Sequence, residues 1–597
     1  MNNINNNKIP HFISNKIFSK NNRKNIFIRN KNRDGIRNRD GIRIRDGIRN
    51  RNNNQSQNSL LINRLSEIVP LILSDDAGYE SDYDISDDVY NRIDNYIVDK
   101  YKENFDSNNE NIIGRNAVVS VGSTLAATDS EEVKKINHIF LNTVKEKGVK
   151  ATNQGYSGRC WIFAGLNMFR HLVIKALKLD NYEFSQTYLF FWDKLERANR
   201  YIHLFIDGVN GDGSGDSDGD GLKEIEPGIG DINFDYYAET FLSDGGYWSM
   251  FANLVDKYGL VPSGAMPETW QSCDSEDMNN ILKNIVHGCV NKIYKMKRHR
   301  NGSLRKFRNR IDKEEFRDKL LKIKHLSMQQ VYNTLVKFLG QPPRTFSWNY
   351  IDDNSNTVSL GSLSPHRFKD MLLTDINLAE DFVVLCNIPN EKYPYYQKYE
   401  VEGMYNVMGG VSHTMVNVPL HELKKYARKS IVSGMPVWFA GDVTKGFHPY
   451  FSSLNSKAIN ADSVFGKPNK MKRSERVIFR NQVANHAMVL TGVNVMKNGK
   501  SCGWQVENSW GYWDKDTPGL DGFMYMSDEW FDEYMTEVVI HKDYFNRSRN
   551  MTRAINSEPI KVKPWSVVSQ ATMVRPIRRP YKYVERFLKP PSNPNSY

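Results

Sequence analysis

Cysteine is scarce in this 597-residue chain, with five residues at positions 160, 273, 289, 386 and 502. An odd number at unrelated spacings makes no disulfide framework, and a reducing compartment, the cytoplasm, is the expected location. No unbroken run of about 18 apolar residues occurs, which argues against a spanning helix, and no membrane partner is expected. The first residues, MNNINNNKIPHFISNKIFSK, lack the continuous apolar core of a secretory signal, so export is not expected. Nothing in the sequence calls for a metal or another cofactor. One stretch, DGVNGDGSGDSDGDG at 207–221, sets Asp216, Asp218 and Asp220 at alternate positions before Gly221, like the start of a calcium loop. The twelfth position of such a loop needs a bidentate Glu and here is Pro227, so a solvated surface loop is the preferred reading.

Acidic residues are equally scarce at the two ends. Residues 1–60 carry 14 Lys/Arg against 3 Asp, and residues 566–597 carry 6 against 1. The formal charge of +12 therefore belongs to the termini, and the body between them is slightly negative. Overall basicity is then no argument that the body binds nucleic acid. Residues 1–58, rich in Asn and Arg and repeating RDGIRN, RDGIRI, RDGIRN, have too little apolar surface to offset the entropy of ordering, and read as a disordered arm. Their first 33 residues contain no acid, as in a transit peptide, but the abundance of Asn is unlike one. Residues 59–115, with SDDAGYESDYDISDD, read as an acidic linker, residues 116–565 as the folded body, and 566–597 as a basic, Pro-containing tail. A basic stretch within the body, residues 295–324, reads as helical, and is either a charged outer face or a polyanion-facing surface.

With 40 % hydrophobic residues the chain can bury a large core. Ile162, Leu166, Phe169, Val173 and Ala176 recur at helical spacing, which predicts a helix with Cys160 at its N-terminal end. Later, PVWFAGDV (436–443), HAMVLTGVNV (486–495), GWQVENSW (503–510) and GFMYM (522–526) read as strands. Helices first and strands later predict an α+β protein.

A lone cysteine is ordinarily a small buried hydrophobe. At a helix N-terminus, unpaired backbone N–H groups and the macrodipole favour its thiolate, which attacks carbonyl carbon. Gln154, six residues upstream in NQGYSGRCWIFAG, can donate to the resulting oxyanion beside the Cys160 N–H, and Trp161 would cover the start of the helix. Such a nucleophile needs a base and an orienting partner. His486 opens an apolar strand, Asn508 sits in VENSWG, and Trp510 could shield their hydrogen bond from water. Taken singly, these residues read as a structural histidine and a turn asparagine; together with Gln154 and Cys160 they read as catalytic.

The runs NQGYSGRCWIFAG, EFSQTYLFFWDKLERA, DGGYWSM, VDKYGLVP, PVWFAGDVTK, NHAMVLTGV, VENSWGYW and MSDEWFDEYMTEVVI occur in this order over about residues 116–565. The chain resembles the bleomycin hydrolase and aminopeptidase C family of papain-like cysteine peptidases. SGRCW stands where a secreted papain relative would carry CGSCW, which agrees with a reducing setting. The resemblance implies a papain-like core, a helical subdomain facing a β-rich one, with large helical insertions, here about 270–345. It implies an intracellular aminopeptidase that hydrolyses peptide and bleomycin-like amides and assembles as a homohexamer, with some members binding nucleic acid. By position it makes Cys160 the nucleophile, His486 the base and acid, Asn508 the orienting residue and Gln154 the oxyanion donor, with Gly245, Gly246 and Trp510 at the substrate cleft.

One departure stands out. In the family the chain ends shortly after a Trp in a PAWD-like motif, and its terminal carboxylate anchors the substrate amine. Here 32 residues follow Trp565 in KPWS, so the tail is trimmed, rerouted or inhibitory. A competing reading from another class is a nucleic-acid-binding scaffold using the basic segments, its peptidase site secondary or vestigial.

Overall fold

The computed structural model describes residues 93, 95–207, 232–302, 310–351, 355–466, 471–511, 522–572 and 574. The basic arm, most of the Asp/Gly-rich loop and most of the C-terminal tail lie outside these residues. Two compact units divide the chain between Asn116 and Ala117. In the first, the described part of the segment read as a linker is helical, Asn95–Asp106 and the start of Asn109–Val121, with no buried residue in either helix.

Everything that follows lies in the second unit. The predicted helix is Cys160–Leu177, and every residue from Cys160 to Ile174 is buried. By length and composition it could cross a membrane, but it is a core helix, with 83 % of its length buried in protein. Helices Gln186–Asp207 and Trp248–Tyr258 pack against it. Two long helices, Glu276–Gly302 and Arg310–Leu339, pack on each other and on Gln186–Asp207, and occupy the segment expected as a helical insertion.

Among the described residues the strands are β1 (Asn142–Thr143), β2 (Phe346–Ile351), β3 (Thr357–Leu363), β4 (Phe382–Cys386), β5 (Gln397–Val401), β6 (Thr414–Asn417), β7 (Val437–Gly441), β8 (Phe447–His448), β9 (Ser453–Leu454), β10 (His486–Val495), β11 (Ser501–Glu507), β12 (Phe523–Met526), β13 (Met535–His541) and β14 (Ile560–Val562). The main sheet runs β14-β5-β6-β4-β13-β7-β10-β11-β12-β9-β8, with β1 beside β10, while β2 and β3 form a separate hairpin. The four strands expected from 436–443, 486–495, 503–510 and 522–526 are β7, β10, β11 and β12.

The centre of this sheet is buried on both faces, which is why β7 and β10 read as nearly continuous apolar runs. Alternate residues serve two cores. Ala440, Ala487 and Val489 belong to the cluster that contains Cys160, and Phe439, Met488 and Leu490 to a second cluster under helix Leu420–Val432. The order of helices first and strands later holds only in part, because β4, β5 and β6 lie between the insertion and β7. The segment after Trp565 is also not all tail: helix Val567–Thr572 is buried from Val568 onward, and Val574 is 1 % exposed.

Candidate active site

Cys160 is the first residue of its helix, and Arg159, at the N-cap, makes no capping hydrogen bond. The Arg159 guanidinium is engaged instead with Glu268, at 3.1 and 2.7 Å in a bidentate pair, while its Nε donates to Ser157 Oγ at 2.8 Å. Phe163 and Phe190 flank its plane. Ser272 and Thr187 donate to the same carboxylate, so the peptide just before Cys160 is tied down by a fully hydrogen-bonded ion pair whose guanidinium is buried and whose carboxylate is partly exposed.

The Cys160 thiol is fully buried. Burial pushes it up to about 12, opposed by the main-chain N–H groups of Ala487, Trp161 and Cys160 itself, with Asp244 adding a smaller upward push. The Ala487 contact is the geometric link between the two halves of the site: the residue peptide-bonded to His486 donates to the sulfur across 327 positions of chain.

His486 begins β10 and pairs with Gly441 of β7. Its Nε2 lies 2.8 Å from Asn508 Oδ1. The same Oδ1 accepts the Ser509 N–H at 2.8 Å, and Asn508 Nδ2 lies 3.3 Å from Met524 Sδ. This network assigns the proton to Nε2 and leaves Nδ1 unprotonated, able to accept one. Burial pushes the imidazole down to about 4, against the lift from Asn508. Trp510 covers the ring at a centroid distance of 4.8 Å and an interplanar angle of 30°, so it lies over the imidazole and keeps water from its hydrogen bond.

Gln154 is locked to the same corner. Its N–H donates to Ser509 O at 2.8 Å, its Oε1 accepts from Ser509 Oγ at 2.5 Å, and its Nε2 donates to Ser157 O at 2.6 Å. Gly245 and Gly246 border a cleft with Arg200, Tyr236, Tyr237 and Met404. A Cβ on Gly246 would lie 2.6 Å from the Trp161 ring, so only glycine lets the indole lie flat there, where its N–H donates to Asp244 O at 2.6 Å. Trp161 therefore braces the cleft loop as well as covering the helix start.

Two buried charge networks were not anticipated from the sequence. Asp244 accepts from Lys194 and Asn279, at 2.6 and 2.8 Å, and from Ser275, and also from the Gly158 N–H at 3.1 Å. Burial alone would raise this carboxyl, but the Lys194 ammonium and the Ser275 and Asn279 hydrogen bonds hold it far below the usual carboxylate range. Glu507, immediately before Asn508, accepts from Arg170 and lies 2.6 Å from His171 Nε2, and so clamps β11 to the Cys160 helix. The available signal was Arg170 and His171 inside the apolar run IFAGLNMFRHLVI and an acid in VENSW.

A buried thiol at a helix start, a tautomer-locked imidazole and a tethered amide define a papain-like cysteine peptidase. The sequence pattern of the Peptidase C1-like family matches residues 92–569, and the chain belongs to that family. It is 31 % identical to Aminopeptidase C of Listeria monocytogenes over 78 % of this chain and 96 % of that protein. It is 33 % identical to bleomycin hydrolase of Gallus gallus, over 72 % and 87 % of the two chains. The crystal structure of PepW from Lactobacillus rhamnosis superposes with a TM-score of 0.70 at 28 % identity, covering 81 % of this chain and 99 % of that one.

Proposed function

We propose that this cysteine peptidase is an aminopeptidase in which Cys160 is the nucleophile, His486 the base and acid, Asn508 the orienting residue and Gln154 an oxyanion donor. The observation that carries the reading is the meeting of the Cys160 sulfur with the Ala487 N–H, one peptide from an imidazole fixed by Asn508.

In the resting site either charge alone is disfavoured, the thiol being pushed up to about 12 and the imidazole down to about 4. Transfer of the thiol proton to His486 Nδ1 creates both charges together, and their attraction in a dry site offsets the desolvation of each. The sulfur then attacks the scissile carbonyl carbon, and the oxyanion meets the Cys160 N–H and the Gln154 amide. The imidazolium gives its proton to the leaving amine as the C–N bond breaks, leaving a thioester. Water, deprotonated by His486, attacks this acyl-enzyme, and the thiolate departs with the acid product released.

The substrates are peptides, and the relatives named bleomycin hydrolase support extending the class to bleomycin-like amides. Five free cysteines support a cytoplasmic location, and the family resemblance supports a homohexamer.

The test is Cys160→Ala, which is expected to abolish turnover of aminoacyl fluorogenic substrates while the far-UV circular dichroism is unchanged. A thiol-directed epoxide should give one adduct by intact mass, on Cys160 and on none of the other four cysteines. Undiminished turnover in the alanine variant defeats the assignment.

A further inference from the structure

The acids near the site are matched. Asp244 meets Lys194, the partly exposed Glu268 meets Arg159, and Glu507 meets Arg170. Glu537 is different. It is 0 % exposed on β13, and neither carboxyl oxygen has a hydrogen-bond partner among the described residues. Arg473, whose charge acts on the neighbouring Cys386, is committed to the carbonyls of Asp532, Met535 and Asn387. A desolvated, unmatched carboxyl is costly to keep and implies a task elsewhere in the molecule's cycle.

Sheet register places it relative to the nucleophile. Ala487 pairs with Ala440, Ala440 with Glu537, and Glu537 with Cys386. Paired residues project to the same face, and Ala487, Ala440 and Cys386 all belong to the core cluster that contains Cys160. Glu537 therefore stands on the nucleophile's face, two strands or ~10 Å along the row from the residue whose N–H touches the sulfur. An extended peptide advances ~3.5 Å per residue, so the row is as long as two or three residues of substrate.

This face is covered by the chain's own helix Val567–Thr572, which packs on β13 and whose Ala571 O accepts the Ala484 N–H at 3.1 Å, two residues before His486. The cover is short, and its buried Ser569 Oγ has no partner among the described residues. Its side chains make no ion pair among the described residues, unlike the networks around Asp244 and Glu507; Gln570 bonds the Pro564 carbonyl and Thr572 Oγ1 lies 3.6 Å from Met415 Sδ.

We propose that Glu537 is the floor of a subsite for a positively charged group of the substrate, carried one or two residues to the amino side of the scissile bond, and that helix Val567–Thr572 is its removable cover. The ligand is an ammonium or a guanidinium, either the peptide's own N-terminal amine or a Lys or Arg side chain. The proposal rests on the peptidase reading above and adds the substrate's charge to it.

Calorimetry on the full chain carrying Cys160→Ala tests it without turnover. Three peptides of equal length are compared: N-acetylated and neutral, neutral with a free amine, and N-acetylated with one arginine. One charged peptide should bind about tenfold tighter than the blocked neutral one, the equivalent of about 1.4 kcal/mol for one charge-assisted contact. Which of the two does so identifies the source of the charge. Adding Glu537→Gln should erase the difference. Burial holds the empty Glu537 carboxyl protonated well above the usual range, so binding a cation should release a proton, and the measured heat should change with the ionisation enthalpy of the buffer. That readout needs no substitution at Glu537. Equal affinity for all three peptides, a difference that persists in Glu537→Gln, or a buffer-independent heat of cation binding each overturns the proposal. Turnover surviving in Cys160→Ala would sink the nucleophile assignment and leave these binding results standing.

Discussion

Ser509 Oγ donates to Gln154 Oε1 at 2.5 Å, joining the residue after Asn508 to the loop before Cys160 across 355 positions of chain. One hydroxyl thus sets the Gln154 amide against the loop that carries Asn508, the partner of the His486 imidazole. The two loops are held as a unit, because Gln154 N–H also meets Ser509 O.

Ser509→Ala removes that tether while keeping the backbone bond. A neutral hydrogen bond is worth about 1 kcal/mol, so kcat should fall by roughly five- to tenfold with KM nearly unchanged, because the amide is misplaced for the transition state more than for the substrate. Steady-state kinetics on a fluorogenic peptide decides this. A raised KM at constant kcat would mean that Ser509 serves ground-state binding instead.

Glu507→Ala leaves the buried Arg170 guanidinium with only the Lys150 carbonyl and the more distant Glu183 carboxylate, 3.8 Å away. Removing one member of such a pair costs about 3–5 kcal/mol, and urea unfolding should show a loss of that size. Glu507→Gln, which keeps the shape and an acceptor, should lose less than the alanine variant. Equal stability of wild type and the alanine variant would remove Glu507 from its role as the clamp of β11.

Gly246→Ala forces a Cβ to within 2.6 Å of the Trp161 ring. Because that indole is pinned to Asp244 O, the relief must come from the cleft loop. The expected outcome is an altered tryptophan emission spectrum and a several-fold loss in kcat/KM; an unchanged spectrum would show that the indole does not rest on Gly246.

Acid should destabilise the fold through buried neutral histidines. Burial lowers His413 from 6.5 to about 3, and His448 and His486 to about 4. Below pH 6.5 the unfolded chain binds protons that these rings refuse in the native state, so stability falls as pH drops from about 6.5 to about 4. The loss is about 1 kcal/mol per histidine over the first pH unit. His413 stacks on Tyr247 at 4.1 Å, and its two ring nitrogens have no hydrogen-bond partner among the described residues. His413→Phe keeps the ring stack and should flatten the decline of Tm with acid, measured by differential scanning fluorimetry from pH 7 to pH 5. An unchanged slope would show that His413 is not one of the acid-sensitive groups.

Much of the site was legible because its chemistry is local in type if not in space. Cys160 at a helix start, Gln154 six residues before it, and His486 and Asn508 at strand edges each follow from periodicity and residue identity. The supporting groups were harder to find. Arg159, Arg170 and His171 read as interruptions of an apolar pattern until Glu268 and Glu507 arrive from other elements, and no spacing rule links residues 109 or 337 positions apart. Strands β4 to β6 escaped because their short runs lie beyond two long helices and pair with β13 and β14, which follow much later.

By itself the sequence determined the residue types of the candidate site and the segments that carry them, because helix and strand periods and end positions are properties of contiguous chain. Only the tertiary structure decided what those residues face: the Ala487 N–H at the sulfur, the Ser509 bridge, the paired acids and Glu537, without a hydrogen-bond partner among the described residues, on the strand that helix Val567–Thr572 packs against. Burial and pairing depend on what distant strands bring alongside, and that information exists only once the sheet has closed over the Cys160 helix.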